Sequence, residues 1–192
     1  MEKNILNIAT KLVVIGGSAG SLDVLLQLLP AINYPANFAV IIILHRKAAD
    51  DEMLAMLLGS KTKIPVTEAT EKQVICANNI YIAPPDYHLL IENSKTFSLD
   101  YSEKINYSRP SIDVTFQSAA EVYKNDLTAI ILSGANADGS EGCEAVQRNG
   151  GYTIAQSPQS AGVSFMPQAA INAAAINSVF TLDEMALYIN RL

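Results

Sequence analysis

Three residues able to share one reaction stand directly after the three most apolar runs of the sequence. Ser18 follows residues 11–16 (KLVVIG), His45 follows residues 38–44 (FAVIIIL), and Asp138 lies in the loop after residues 127–132 (LTAIIL). The stretch Gly16-Gly17-Ser18-Ala19-Gly20 matches G-x-S-x-G, in which glycines permit a sharp strand-to-helix turn that lifts a serine hydroxyl clear of the backbone. A serine hydroxyl is a weak nucleophile and needs a base within hydrogen-bond reach. The base in turn needs a carboxylate to orient its ring and stabilise its cation. The chemistry implied is acyl transfer through a covalent serine intermediate.

Other readings of the same residues compete. The sequence has two histidines, and His88, after Pro84-Pro85-Asp86-Tyr87, is the rival base. Position at a strand end favours His45, with His88 lining a substrate groove. Asp23, Asp50, Asp51 and Asp86 are rivals to Asp138. Asp23 suits the first turn of a helix, where a carboxylate meets the positive dipole end, and Asp50 or Asp51 suits a helix N-cap. Asp138 itself could be no more than the first half of an Asp-Gly turn. The Gly16–Gly20 turn departs from the dinucleotide fingerprint, which needs glycine at position 18, and from the P-loop, which needs G-K-[ST]. A looser anion-binding nest stays open. No histidine follows Asp138, so the serine, acid, histidine order of the lipase-like hydrolases is impossible here.

The elements that must position these residues alternate. The runs at 11–16, 38–44 and 127–132 are apolar throughout and β-branched, as buried strands are. Helices are expected at 22–29, ended by Pro30, and from Asp50 or Asp51 to Leu58, stopped by Gly59. Further helices are expected at 112–124, at 140–149 before Gly150-Gly151, and at 168–175, with a short strand at 152–155. Alternation of this kind predicts an α/β fold: a doubly wound, mostly parallel sheet flanked by helices. Ligands of such sheets bind beyond the carboxyl ends of the strands, where all three candidates stand. The middle differs. Residues 74–83, 88–92 and 96–100 read as short strands between turn residues, a small antiparallel hairpin or meander inserted at one edge. Residues 102–111 read as a loop.

Composition sets the outer bounds. The chain of 192 residues is expected to form a single domain, with 49% hydrophobic residues available for a core. Lys and Arg number 13 against 19 Asp and Glu, a net charge of −6, which argues against nucleic acid as a partner. The longest apolar run is far below the ~20 residues that span a bilayer, so no membrane insertion is expected. Two cysteines and no signal peptide fit a reducing cytoplasm. Two cysteines and two histidines make a zinc site unexpected, and no cofactor motif is present.

Taken together, the motifs resemble the catalytic domain of the bacterial chemotaxis receptor methylesterases, the protein-glutamate methylesterase (CheB-type) family. The resemblance runs from about Lys11 to the C-terminus. It rests on Ile15-Gly16-Gly17-Ser18-Ala19-Gly20-Ser21, on His45 closing a strand, and on Tyr81-Ile82-Ala83-Pro84. Further support comes from Arg109-Pro110-Ser111-Ile112-Asp113-Val114, from Ser133 to Gly139, and from Ser164-Phe165-Met166-Pro167. It implies Ser18 as nucleophile, His45 as base and Asp138 as orienting acid. The substrate would be a glutamate methyl ester, and by the same route a glutamine, on a methylated chemoreceptor-like helical protein. Backbone N–H groups near Ala19 and Ala135 are the candidate oxyanion donors, and His88 and Arg109 are candidate substrate contacts. Arg46 and Lys47 beside the base would attract an acidic partner.

Where the family has threonine, glycine, methionine and glycine, this chain has Ala19, Ser21, Ala135 and Asn136. Asn136 demands either a negative φ or asparagine's tolerance of the left-handed region. The family's receiver domain is expected to be absent, which leaves a receiver or kinase acting in trans as a possible partner. A catalytically weak homologue serving as a binding or adaptor module is the alternative function.

Overall fold

The computed structural model describes residues 7–46, 52–173 and 175–192. Among them a parallel sheet is built from β1 (Lys11–Gly17), β2 (Phe38–Leu44), β3 (Val66–Glu68), β4 (Ile80–Ile82), β7 (Leu127–Ile131), β8 (Tyr152–Gln156) and β9 (Ser178–Phe180), in the order β3-β4-β2-β1-β7-β8-β9. A two-stranded antiparallel sheet of β5 (His88–Ile91) and β6 (Phe97–Asp100) stands apart from it. The doubly wound α/β architecture expected from the alternation is therefore present. The helices are α1 (Ser21–Leu28), α2 (Glu52–Gly59), α3 (Ile112–Tyr123), α4 (Ser140–Arg148), α5 (Phe165–Asn172) and α6 (Leu182–Ile189).

Side chains alternate across a strand, so a sheet covered on both faces must be apolar at every position. In β1, Leu12 and Val14 enter one core with Phe116 of α3 and Cys143 of α4, while Val13 and Ile15 enter a second core with Leu25 of α1 and Met185 of α6. β2 divides the same way: Ala39, Ile41 and Ile43 face the first core, Val40, Ile42 and Leu44 the second. Burying a side chain of this size is worth about 1.5–3 kcal/mol, so the central strands are the strongest constraint on the fold. The hairpin lies over α3, where the Ser118 hydroxyl accepts the Ile91 N–H at 3.1 Å.

Several local expectations are corrected. Ile80–Ile82, read as part of a meander, is an interior strand of the main sheet, parallel to both β2 and β3. The three-residue strands β3 and β9 and the helix α6 were not anticipated. α6 is started by a capping box, with Thr181 and Glu184 exchanging side-chain and backbone hydrogen bonds. α5 begins at Phe165, three residues before the expected start. Asp23 does sit in the first turn of α1. Asp50, Asp51 and Lys47 fall outside the described residues.

Candidate active site

Register places the three candidates side by side. β1 pairs with β2 as far as Gly17↔Leu44 and with β7 as far as Gly16↔Ile131. Beyond those pairs the His45 N–H donates to the Gly17 carbonyl at 3.2 Å, and the Ser18 N–H to the Ser133 carbonyl at 2.9 Å. Ser18 thus leaves the sheet between the ends of β2 and β7, with neighbouring strands about 4.8 Å away on either side.

The turn around Ser18 is shaped by close approaches. A Cβ on Gly17 would lie 2.6 Å from that of Ser21, and one on Gly16 would lie 2.5 Å from Ile112 Cγ2. Ser21 is fully buried and its hydroxyl donates to the Ser18 carbonyl, so serine here fastens the turn from inside. Gly20 has φ of +80°, the left-handed conformation glycine adopts without strain. The Ser133 hydroxyl, which opens the Ser133–Gly139 motif and had no assigned role, donates to the Ala19 carbonyl at 2.6 Å and accepts the Val163 N–H at 2.8 Å. It ties the serine turn to the segment before α5. The N–H groups of Ala19 and Ala135 donate to no acceptor among the described residues, and both residues are exposed. The Ser18 amide is taken by the Ser133 carbonyl and the Ser21 amide by the Ser18 carbonyl, which weakens the case for an anion nest.

The carboxylate of Asp138 is buried and surrounded by donors. Oδ2 accepts His45 Nε2 at 2.7 Å and the Ile112 N–H at 2.7 Å, and Oδ1 accepts the Ser111 hydroxyl at 2.9 Å and the Asp113 N–H at 3.1 Å. Burial alone would raise its pKa. The His45 ring and the amides of Ile112 and Asp113 outweigh burial and hold the carboxyl below the usual carboxylate range. With Nε2 donating to the carboxylate, the lone pair of the neutral ring lies on Nδ1. Nδ1 is met loosely, by the Ser108 hydroxyl at 3.3 Å and Asn136 Nδ2 at 3.5 Å. Ser18 makes no side-chain hydrogen bond to either ring nitrogen. Asn136 has a negative φ, so its replacement of glycine costs no backbone strain.

The remaining candidates fall in different places. Arg109 lines a pocket of about 360 Å³ together with His45, Arg46, Asp86, Lys104, Tyr107 and Ser108. Its guanidinium lies 3.9 Å from the ring centre of Tyr101 and donates to the carbonyls of Tyr101 and Ser102. Arg46 pairs with Glu68 at 2.9 Å. His88, expected to line the groove, is instead fully buried. Its Nε2 donates to the Glu103 carbonyl at 2.9 Å and its Nδ1 accepts the Ser111 N–H at 3.1 Å. It anchors the loop and the start of α3 beneath the pocket. A second pocket of about 520 Å³ runs along Gly162, Val163, Ser164, Phe165 and α5, with Phe165 exposed.

A family model described as CheB methylesterase matches residues 13–189. The chain belongs to the CheB methylesterase family. A Leptospira interrogans protein, provisionally named a protein-glutamate methylesterase/protein-glutamine glutaminase, is 40% identical over 180 residues, covering 94% of this chain and 93% of that one. The Thermotoga maritima protein-glutamate methylesterase/protein-glutamine glutaminase is 38% identical over 170 residues, covering 85% of this chain and 48% of its own length. The crystal structure of the Thermotoga maritima CheB methylesterase catalytic domain superposes with a TM-score of 0.90 at 33% identity, covering 94% of this chain and 97% of that one. The CheB catalytic fold thus extends over nearly the whole chain. Among the described residues, no helix is long and apolar enough to cross a membrane.

Proposed function

We propose that this CheB-family chain hydrolyses glutamate methyl esters on a helical, acidic signalling protein of the chemoreceptor kind, and deamidates glutamine by the same route. The observation that carries this reading is the 2.7 Å bond from His45 Nε2 to the buried Asp138 carboxylate, one strand from Ser18. Nδ1 is then the basic atom. The Ser18 hydroxyl turns to Nδ1 as substrate enters, displacing the long contacts from Ser108 and Asn136. Catalytic hydrogen bonds commonly tighten only in the substrate complex.

Ser18 Oγ attacks the ester carbonyl and its proton passes to Nδ1. The oxyanion is met by the free N–H groups of Ala19 and Ala135, each such donor being worth about 2.7–4 kcal/mol. Collapse breaks the acyl–oxygen bond and returns the proton to the departing methoxide as methanol. Water, deprotonated by Nδ1, then attacks the acyl-enzyme and releases the glutamate carboxylate and Ser18. With glutamine the leaving group is ammonia.

The pocket beside His45 supports an acidic partner. Lys104 and Arg109 line it against one acid, Asp86, beside Arg46, which is paired with Glu68, in a chain of net charge −6. The second pocket, with exposed Phe165, begins at Gly162, which packs beside Gly20 of the serine turn, and offers an apolar strip for the same helix.

One observation favours a second reading, a partner-binding module: Nδ1 is occupied by Ser108 and Asn136 while Ser18 makes no hydrogen bond to it. Methanol release from a methylated receptor separates the two. Wild type should turn over and Ser18→Ala should fall to background, a loss on the order of 10⁶ by analogy with other serine hydrolases. A fluorophosphonate probe should label Ser18. Equal rates for the two proteins and no labelling would establish the binding module instead.

A further inference from the structure

α3 and α4 begin beside each other, and neither is capped by its own N-cap side chain. The hydroxyl of Ser111, the N-cap of α3, donates to Asp138 rather than accepting from its own helix, and the N-cap of α4 is Gly139. The first-turn N–H groups of a helix need acceptors when buried. Each helix receives its acceptor from the other. Asp138, the residue before the α4 cap, takes the amides of Ile112 and Asp113 in α3. Asp113, in the first turn of α3, takes the amides of Gly139 and Gly142 through Oδ1, at 2.8 and 2.7 Å. The exchange is possible because α4 comes unusually close: a Cβ on Gly142 would lie 2.7 Å from Phe116 Cβ and 3.1 Å from Asp113 Cα.

We propose that Asp113 is a positioning residue for the reaction, holding the Asp138–Gly139 turn so that the Asp138 carboxylate stays aimed at His45 Nε2. This rests on the Ser18, His45 and Asp138 reading above. Asp138 is tied on its own side by its carboxylate and on the next residue by the Gly139 amide on Asp113. Without Asp113 the buried Gly139 and Gly142 amides lose their acceptor, and the turn shifts to find another. Asp138 moves with it, and the ring of His45 follows its partner. Displacements near 1 Å can cost about 10²-fold in rate. Asp113 is only 4% exposed. Burial, above all, raises its pKa to about 7, with the charge of Asp138 adding to the rise, so a neutral acceptor of the same shape suits the position.

The test measures methanol release from a peptide bearing a glutamate methyl ester for wild type, Asp113→Asn and Asp113→Ala. Asparagine keeps an oxygen for the two amides, and alanine does not. Asp113→Ala should lower kcat by roughly 10–100-fold with KM within about twofold, and Asp113→Asn should stay within about threefold of wild type. If Asp113→Ala fails to fold by circular dichroism, Asp113→Ser serves in its place; it keeps a polar group too short to reach both amides, and the same fall in kcat is expected. Asp113→Ala or Asp113→Ser turning over at the wild-type rate overturns the proposal. So does Asp113→Asn falling as far as Asp113→Ala, which would make the charge and not the acceptor the active feature. A wild type that releases no methanol sinks the esterase reading itself, and the proposal with it.

Discussion

The two ring nitrogens of His45 look into regions built in opposite ways. On the Nε2 side every partner is buried and close: Asp138 at 2.7 Å, itself held by Ser111, Ile112 and Asp113. On the Nδ1 side the partners are long and half-exposed, Ser108 at 3.3 Å and Asn136 at 3.5 Å, and a pocket opens beyond them. The first region is finished before substrate arrives. Its hydrogen bonds are made in a low-dielectric interior, where each is worth more and each unpaired group costs more. The second is left for the substrate to complete. In the proposed reaction, rigidity on the side of Asp138 with looseness on the side of Ser18 lets a bulky protein side chain enter without disturbing the bond that orients the His45 ring. The difference also assigns the ring chemistry, since a donor bond from Nε2 leaves only Nδ1 to accept a proton.

Breaking the finished side should cost most. All four partners of the Asp138 carboxylate are donors. In Asp138→Asn the amide nitrogen must face one pair of them, so a backbone N–H, of Ile112 or of Asp113, meets a donor wherever the amide flips, while the Ser111 hydroxyl or the imidazole can turn to accept. With the nitrogen on the Ile112 side, the ring of His45 takes the other tautomer, with the hydrogen on Nδ1. Turnover should fall on the order of 10⁴-fold, as in other serine triads. Steady-state methanol release at unchanged enzyme folding checks this. A loss below tenfold would mean that Asp138 serves α3 and not the ring.

How much of this could be read from residues alone follows the same division. The central strands were legible because burial on both faces forces continuous apolar runs, and such runs place Ser18, His45 and Asp138 at strand ends without any knowledge of contacts. β3 and β9 were not, because three residues such as Val66–Glu68 carry too short a pattern to stand out from a loop. Ile80–Ile82 was seen as extended but set in the wrong sheet, since pairing partners lie far off in sequence. Asp113 stands in the Arg109–Val114 motif, where its residue type alone points to no role. Its function depends on Gly142 bringing α4 against α3, a packing event no local pattern encodes. His88 was misplaced for a related reason: a histidine next to turn residues looks exposed, and only the fold reveals that both of its nitrogens serve backbone groups. Lys47 lies outside the described residues, and the cationic rim that stands in the structure includes Lys104, which no sequence pattern singles out.

That rim offers a milder way to sharpen the comparison, because it acts on the open side only. Lys104 is exposed at the pocket edge, away from the Asp138 bonds. Lys104→Glu should raise KM about 3–10-fold for an ester peptide flanked by glutamates at low ionic strength, with kcat unchanged and the effect fading in high salt, where exposed charges are screened. A peptide flanked by neutral residues should barely respond. Equal effects on both peptides would mean that the rim does not read charge.

The smallest effect is expected from stability rather than rate, and it tests whether the buried side carries one charge or two. Asp113 has a folded-state pKa raised to about 7, chiefly by burial, against about 3.9 in an unfolded chain. Between those values the folded protein keeps a proton that the unfolded chain has released, so this group favours folding less and less as pH climbs through that window. Asp138 works in the opposite sense and in a different range. Its depressed pKa contributes stability above the unfolded value, lost only as pH drops through the folded one. Asparagine at 113 does not titrate and escapes the penalty. The melting temperature of Asp113→Asn relative to wild type should therefore rise between about pH 5 and about pH 7.5, by about 2–4 °C for each kcal/mol recovered. Thermal melts at the two pH values measure it directly. A gap that stays constant or narrows would mean that the Gly139 and Gly142 amides outweigh burial, so that both carboxylates are ionised side by side and the region is held together by donors alone.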